Sequence, residues 1–199
     1  LGQTGKIMEY ELSPEPDGDY DEVVLVAHLE NAPFKYTLAQ MLVMGASYAT
    51  PPTFLTRFGS LGAMNSGVQF DVEEDVGLLA YRGHGSTNTW SEWNTSNENF
   101  HKNDVVELEN DGIKPVVWSI ACTNNNLVHD PLSSVDSLGE VWMEVEDRGA
   151  VAHYGATGTT GTHFNDALDS QLFRTVYDTG LVSHGPALDT TELSLGIAG

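Results

Sequence analysis

The strongest constraint on this chain is a set of four short, unbroken apolar runs. Residues 22–27, 76–81, 115–121 and 150–154 are rich in Val, Leu, Ile and Ala, and none alternates apolar with polar side chains. A strand covered on both faces reads this way, because neither side meets water. Helical patterns separate the runs. Residues 36–44 suit a short helix that ends at Gly45, and a helix is expected within 96–110, stopped before Asp111-Gly112. Residues 134–148 put Leu138, Val141, Trp142 and Val145 on one helical face, with Gly149 as the stop. Residues 165–178 read as a last amphipathic helix carrying Leu168, Leu172, Phe173 and Val176, ended by Gly180. The alternation predicts an α/β fold, a mostly parallel central sheet flanked by helices in three layers.

The rest of the chain carries weaker signals. Residues 1–21 read as an acidic, irregular N-terminal segment, residues 22–180 as the α/β domain, and residues 181–199 as a tail. The stretch 47–67, rich in Gly, Pro, Ser and Thr, also reads as irregular. A length of 199 residues suits one domain. No apolar run reaches the roughly 18 residues that a membrane span needs.

Charge narrows the partners. Asp and Glu number 29 against 8 Lys and Arg, a formal net charge of −21. Such a surface repels nucleic acid and anionic lipid, and salt screens its self-repulsion. A secreted or extracellular setting is expected, although no basic region followed by an apolar stretch marks a signal peptide at the N-terminus. Cys122 is the only cysteine, so no intrachain disulfide forms.

In an open parallel sheet, functional groups gather beyond the carboxyl ends of the strands. The four expected strands end in segments that carry Glu30, His84, Cys122 and a Gly/Thr-rich loop over residues 155–162. All four ends share one sheet edge. Taken singly, a cysteine after an apolar strand is a small buried hydrophobe, and a glutamate there is a solvated loop charge. Together they are the parts for thiol catalysis. An imidazole takes the thiol's proton, and a carboxylate holds the imidazole in one tautomer. The glycines flanking His84 let backbone approach a substrate, and the N–H groups of Gly85 and Cys122 are candidates for an oxyanion hole. Trp90 lies in an otherwise polar loop and is expected to cover a substrate pocket. Two other chemistries lack their spacing. There is no Gly-x-Ser-x-Gly elbow, and no His-x-x-x-His or Cys-x-x-Cys pair.

These residues carry a resemblance. The run from Tyr81 through Arg82-Gly-His-Gly-Ser86 to Trp90 resembles the histidine block of the gingipain-like cysteine peptidases, family C25 of the caspase-like clan. Residues 119–124, Ser-Ile-Ala-Cys-Thr-Asn, are similar to that family's cysteine block, and residues 137–143 and 149–156 to the helix and strand that follow. Glu30 stands where the family has the glutamate supporting the histidine. The resemblance implies a cysteine endopeptidase working through a Cys122–His84 dyad and a thioacyl-enzyme, with a protein or peptide as substrate and no cofactor for catalysis. It also implies an N-terminal subdomain or partner chain that these 199 residues do not include. The alternative is a non-catalytic caspase-like module for binding or adhesion.

Two further expectations follow from the resemblance. Arginine-cleaving gingipains carry a pocket acid about a dozen residues after the supporting glutamate. Here residues 31–42 contain no Asp or Glu and instead carry Lys35. Lysine-cleaving gingipains take that acid from the loop after the fourth strand, where this chain has Asp166 and Asp169. A basic residue before the cut (P1) is therefore expected, in a pocket formed by Trp90, Thr157, Thr162, His163, Phe164 and Asp166. An acidic P1 directed by Lys35 is the alternative. Gingipain-like enzymes bind calcium, and Asp17, Asp19 and Asp21 offer three carboxylates at alternating positions for a structural site.

Overall fold

The computed structural model describes residues 2–16, 18–30, 35–127, 136–180 and 183–196. Its centre is a five-stranded, all-parallel sheet. In chain order the strands are β1 (Asp19–Ala27), β2 (Thr53–Phe58), β3 (Val76–Arg82), β7 (Val116–Ile120) and β8 (Ala152–Gly155), arranged β2-β1-β3-β7-β8 across the sheet. Between β3 and β7 the short strands β4 (Gly85–Ser86), β5 (Thr89–Trp90) and β6 (Phe100–His101) form a small antiparallel sheet. The helices are α1 (Gln3–Leu12), α2 (Lys35–Met44), α3 (Asn65–Glu73), α4 (Lys102–Val106), α5 (Leu138–Glu144), α6 (Thr162–Thr179) and α7 (His184–Leu195). None of the described helices is long and apolar enough to cross a membrane.

Both faces of the sheet are covered, which is why its strands lack alternation. On one face Val24, Val26, Leu79, Tyr81 and Val117 pack with Val68 and Val72 of α3, Val105 of α4 and Trp142 of α5. On the other, Val23, Leu25, Leu78, Ala80 and Trp118 pack with Tyr36 and Val43 of α2 and Leu172 and Phe173 of α6. Successive residues of one strand serve opposite cores, as a pleat of period two requires.

Several elements differ from the reading by pattern. Residues 3–12 are helical rather than irregular, and the reason is tertiary. Lys6 is buried and its Nζ donates to the carbonyls of Val145 at 2.9 Å and Arg148 at 2.8 Å, which satisfies acceptors left open just past the end of α5. The stretch 47–67 contains β2 and the start of α3. β2 is an edge strand whose residues are mostly half-buried, so it never shows an apolar run. The helix expected within 96–110 shrinks to α4, because Phe100 and His101 are taken up by β6. α5 starts only at Leu138, where Ser137 and Glu140 form a reciprocal capping box; residues 134 and 135 lie outside the described ones. α6 begins at Thr162 rather than 165 and ends with Gly180 in the left-handed conformation at φ 69°. The tail holds α7, packed on α6.

Candidate active site

Glu30, His84 and Cys122 follow β1, β3 and β7, which are consecutive neighbours in the sheet. The topology therefore delivers all three to one edge, and side-chain contacts join two of them directly. Glu30 Oε2 meets His84 Nε2 at 2.5 Å, and Glu30 Oε1 meets Lys35 Nζ at 2.8 Å. Burial pulls the Glu30 carboxyl upward, but hydrogen bonds from Lys35 and His84 outweigh it and hold the group below its ordinary value. Glu30 is thus an anion facing the imidazole.

The His84 ring is held on several sides. It lies edge-to-face against His28, with centroids 4.8 Å apart, and against Tyr36 at 5.3 Å. The Tyr36 hydroxyl is 3.4 Å from Nε2, and Tyr81 Oη donates to the His84 carbonyl at 2.8 Å. Burial, reinforced by the His84 charge, lowers the His28 pKa to about 4. His28 is therefore neutral near pH 7. Its Nδ1 accepts the Glu30 backbone N–H at 2.8 Å, which fixes the turn carrying the carboxylate.

Cys122 sits two residues beyond the end of β7. Its Sγ accepts the Thr160 N–H at 3.4 Å and lies 3.7 Å from Thr160 Oγ1. The thiol is turned toward the loop after β8 and forms no hydrogen bond to His84. Backbone contact brings the two loops together instead. A Cβ placed on Gly85 would lie 2.8 Å from the Cys122 carbonyl and 2.6 Å from Asn124 Oδ1, so only glycine allows this approach. Asn124 then ties the cysteine loop to the hairpin after His84, donating to the carbonyls of Ser86 at 2.5 Å and Thr89 at 2.9 Å. Pattern reading passed over Asn124, since Asn in a polar loop gives no signal of its own. The Cys122 N–H donates no hydrogen bond among the described residues and is free for an oxyanion. Gly85 pairs with Trp90 in the β4–β5 ladder.

The expected pocket residues scatter. Trp90 does not cover a pocket. It is fully buried, stacks on Tyr81 at 4.3 Å and donates to Ser119 Oγ at 3.0 Å, because β5 turns its ring inward. Thr157 and His163 are exposed. The Thr162 carbonyl accepts from Arg82 Nη2 at 2.9 Å. Asp166 is also tied to Arg82: its Oδ1 accepts from Nε at 3.0 Å and from Nη2 at 2.6 Å. Asp169 is fully buried, its two oxygens have no hydrogen-bond partner, and burial pushes its pKa up to about 7. Phe164 is 64% exposed at the first turn of α6.

Asp19 and Asp21 are exposed at the N-terminal end of β1, and Asp17 lies outside the described residues. Among the described residues the cluster with metal-ligand spacing is His28, Glu30 and His84, whose donor atoms lie within 4.8 Å of one another. Within it Glu30 Oε2 bonds His84 Nε2, while His28 Nδ1 accepts the Glu30 backbone N–H.

A parallel sheet with a thiol and a carboxylate-bound imidazole at adjoining strand ends defines the caspase-like class of α/β folds. The model of peptidase family C25 matches residues 3–197, and the chain belongs to that family. Solved structures agree on the fold. The complex of the Porphyromonas gingivalis RgpB pro- and mature domains aligns with TM-score 0.77 at 16% identity, covering 98% of this chain and 47% of that one. The Arg-specific cysteine proteinase gingipain R (RgpB) aligns with TM-score 0.70 at 17% identity, covering 88% and 41%. The chain thus spans less than half the length of these structures. No curated protein matches it.

Proposed function

We propose that this chain is the catalytic unit of a cysteine endopeptidase. The observation that carries the reading is the Glu30–His84 contact at 2.5 Å beside a cysteine loop that touches Gly85. With Nε2 held by Glu30, Nδ1 is the nitrogen left to take the Cys122 proton after a side-chain rotation toward His84. The sulfur then adds to the substrate carbonyl carbon, and the Cys122 N–H, with Gly85 as the second candidate, meets the oxyanion. The C–N bond breaks as His84 returns the proton to the leaving amine. Water, deprotonated by His84, attacks the thioester and restores the thiol. Glu30 orients the ring and stabilises its cationic form.

Ion pairs already formed inside the chain argue against a charged P1 preference. Asp166 already neutralises Arg82, and Lys35 already neutralises Glu30. The −21 charge supports a secreted or high-salt setting. A structural calcium near Asp19 and Asp21 is tested by whether calcium raises the melting temperature.

Cys122→Ala is expected to abolish cleavage of an unstructured protein substrate while circular dichroism and melting temperature stay unchanged. Retained cleavage excludes the dyad. Glu30→Gln is expected to lower kcat by about tenfold or more, as loss of a positioned acid–base group does. Iodoacetamide labelling of Cys122 should remain complete in that variant. Slow labelling of the wild-type thiol near neutral pH would instead favour a non-catalytic binding module.

A further inference from the structure

Beside the nucleophile lies a cavity of about 560 Å³, bounded by the ends of β7 and β8, the loop 156–161, α6 and α7. That volume lies in the range of sites for small ligands and side chains, roughly 300–1,000 Å³. Among the described residues no charged side chain lines it, and its wall includes Ile120, Ala121, Ala156, Phe164 and Leu168. The cavity is continuous with the proposed reaction centre through two residues. Ala121 directly precedes Cys122. Thr160 lines the cavity while its N–H and Oγ1 contact Sγ at 3.4 and 3.7 Å. Thr160 is itself held, since the buried Asn165 donates to its Oγ1 at 2.8 Å. Because Ala121 and Thr160 both line the cavity, its wall begins at residues next to Cys122 in chain and in space, whichever rotamer the thiol adopts.

Charge near the centre gives no competing subsite. The Arg82 guanidinium is 1% exposed and bonded to Asp166, Ile120 O and Thr162 O. Lys35 bonds Glu30, and Asp169 is sealed in the core without lining the cavity. A charged side chain entering the cavity would lose water and meet no counter-charge, whereas an apolar one would lose only contact with water. Phe164, exposed at the first turn of α6 and part of the wall, is placed to meet such a side chain.

We propose that this cavity is the specificity subsite for a large apolar side chain, Leu, Met or Phe, on the acyl side of the scissile bond. The proposal rests on the peptidase reading above.

The test compares kcat/KM for matched peptides carrying Leu, Phe, Ala, Lys or Asp before the cut. It uses wild type, Leu168→Trp to fill the cavity, and Phe164→Ala at the exposed rim. The Leu and Phe peptides are expected to exceed the Lys and Asp peptides by at least about tenfold, the scale on which one methylene in an apolar pocket discriminates. Leu168→Trp should erase the Phe-over-Ala ratio with Cys122 labelling unchanged. Phe164→Ala should lower the same ratio without affecting the fold. Preference for Lys or Asp overturns the subsite, and so does an unchanged Phe-over-Ala ratio in both variants. If no peptide is cleaved and Cys122→Ala matches wild type, the peptidase reading falls and the subsite falls with it. Cleavage with the wrong preference removes the subsite alone.

Discussion

The two faces of the central sheet are built differently. Under α3, α4 and α5 the core is closed, with Tyr81, Trp90, Phe100 and Trp142 in a continuous stack at centroid spacings of 4.3, 4.7 and 6.1 Å. Under α2, α6 and α7 the apolar core of Val23, Leu25, Trp118 and Phe173 is joined by buried charged groups. Arg82 and Asp169 are buried there, Gln40 has neither amide atom hydrogen-bonded, and the 560 Å³ cavity opens beside Cys122. The closed face stabilises by removing apolar surface from water. The other combines apolar burial with the buried Arg82 and Asp169 and with the cavity beside Cys122.

Three experiments probe this contrast, the first two in order of expected size and the third read as a slope with pH. Trp142→Ala removes one end of the stack and is expected to destabilise by about 3–5 kcal/mol, read by chemical denaturation. A loss below ~1 kcal/mol would mean that the closed face is not the stabilising one. Asp166→Asn on the other face leaves Arg82 buried with weaker acceptors, an expected loss of about 1.5–3 kcal/mol, the scale of a hydrogen bond to a charged group. Asp166 is 41% exposed, which places the effect toward the lower figure.

The third concerns pH. Burial raises Asp169 from 3.8 to about 7, so the folded chain holds this proton over a range where the unfolded chain has released it. A raised acid contributes stability below its unfolded pKa, and that contribution disappears as pH rises through the folded value. Between about pH 4 and 7, wild type should therefore lose stability relative to Asp169→Asn with a slope approaching about 1.4 kcal/mol per pH unit. Parallel pH curves for the two proteins would show that Asp169 is ionised in the fold, partnered by Arg82 despite the distance, and that this face carries less strain than its geometry implies.

The strands β1, β3 and β7 were legible because each is buried on both faces and so spells out an unbroken apolar run, whereas β8, half-buried at the opposite edge, was read from the buried Ala150 and Val151 that lead into it. β2 was not, since at the sheet edge its side chains are half-buried and its pattern is lost after Pro51-Pro52. α1 was missed for another reason. Its anchor is one lysine reaching the carbonyls beyond the end of α5, about 140 residues away, and no local period records such a bond. At the site, Glu30, His84 and Cys122 could be nominated because few residue types do their chemistry and all three follow readable strands. Trp90 could not be placed, because a two-residue strand decided which way its ring points.

The sequence by itself determined the layered fold class and the shared edge where a thiol, an imidazole and a carboxylate come to lie. Both follow from period and strand order, which are local or nearly so. Only the tertiary structure decided how those groups are paired. It paired Asp166 with Arg82, joined Glu30 to both His84 and Lys35, and left a cavity beside Thr160 that no charged side chain lines among the described residues. Hydrogen bonds and voids depend on which side chains converge from distant segments, to within a few tenths of an ångström. A pattern read along the chain does not contain distances of that kind.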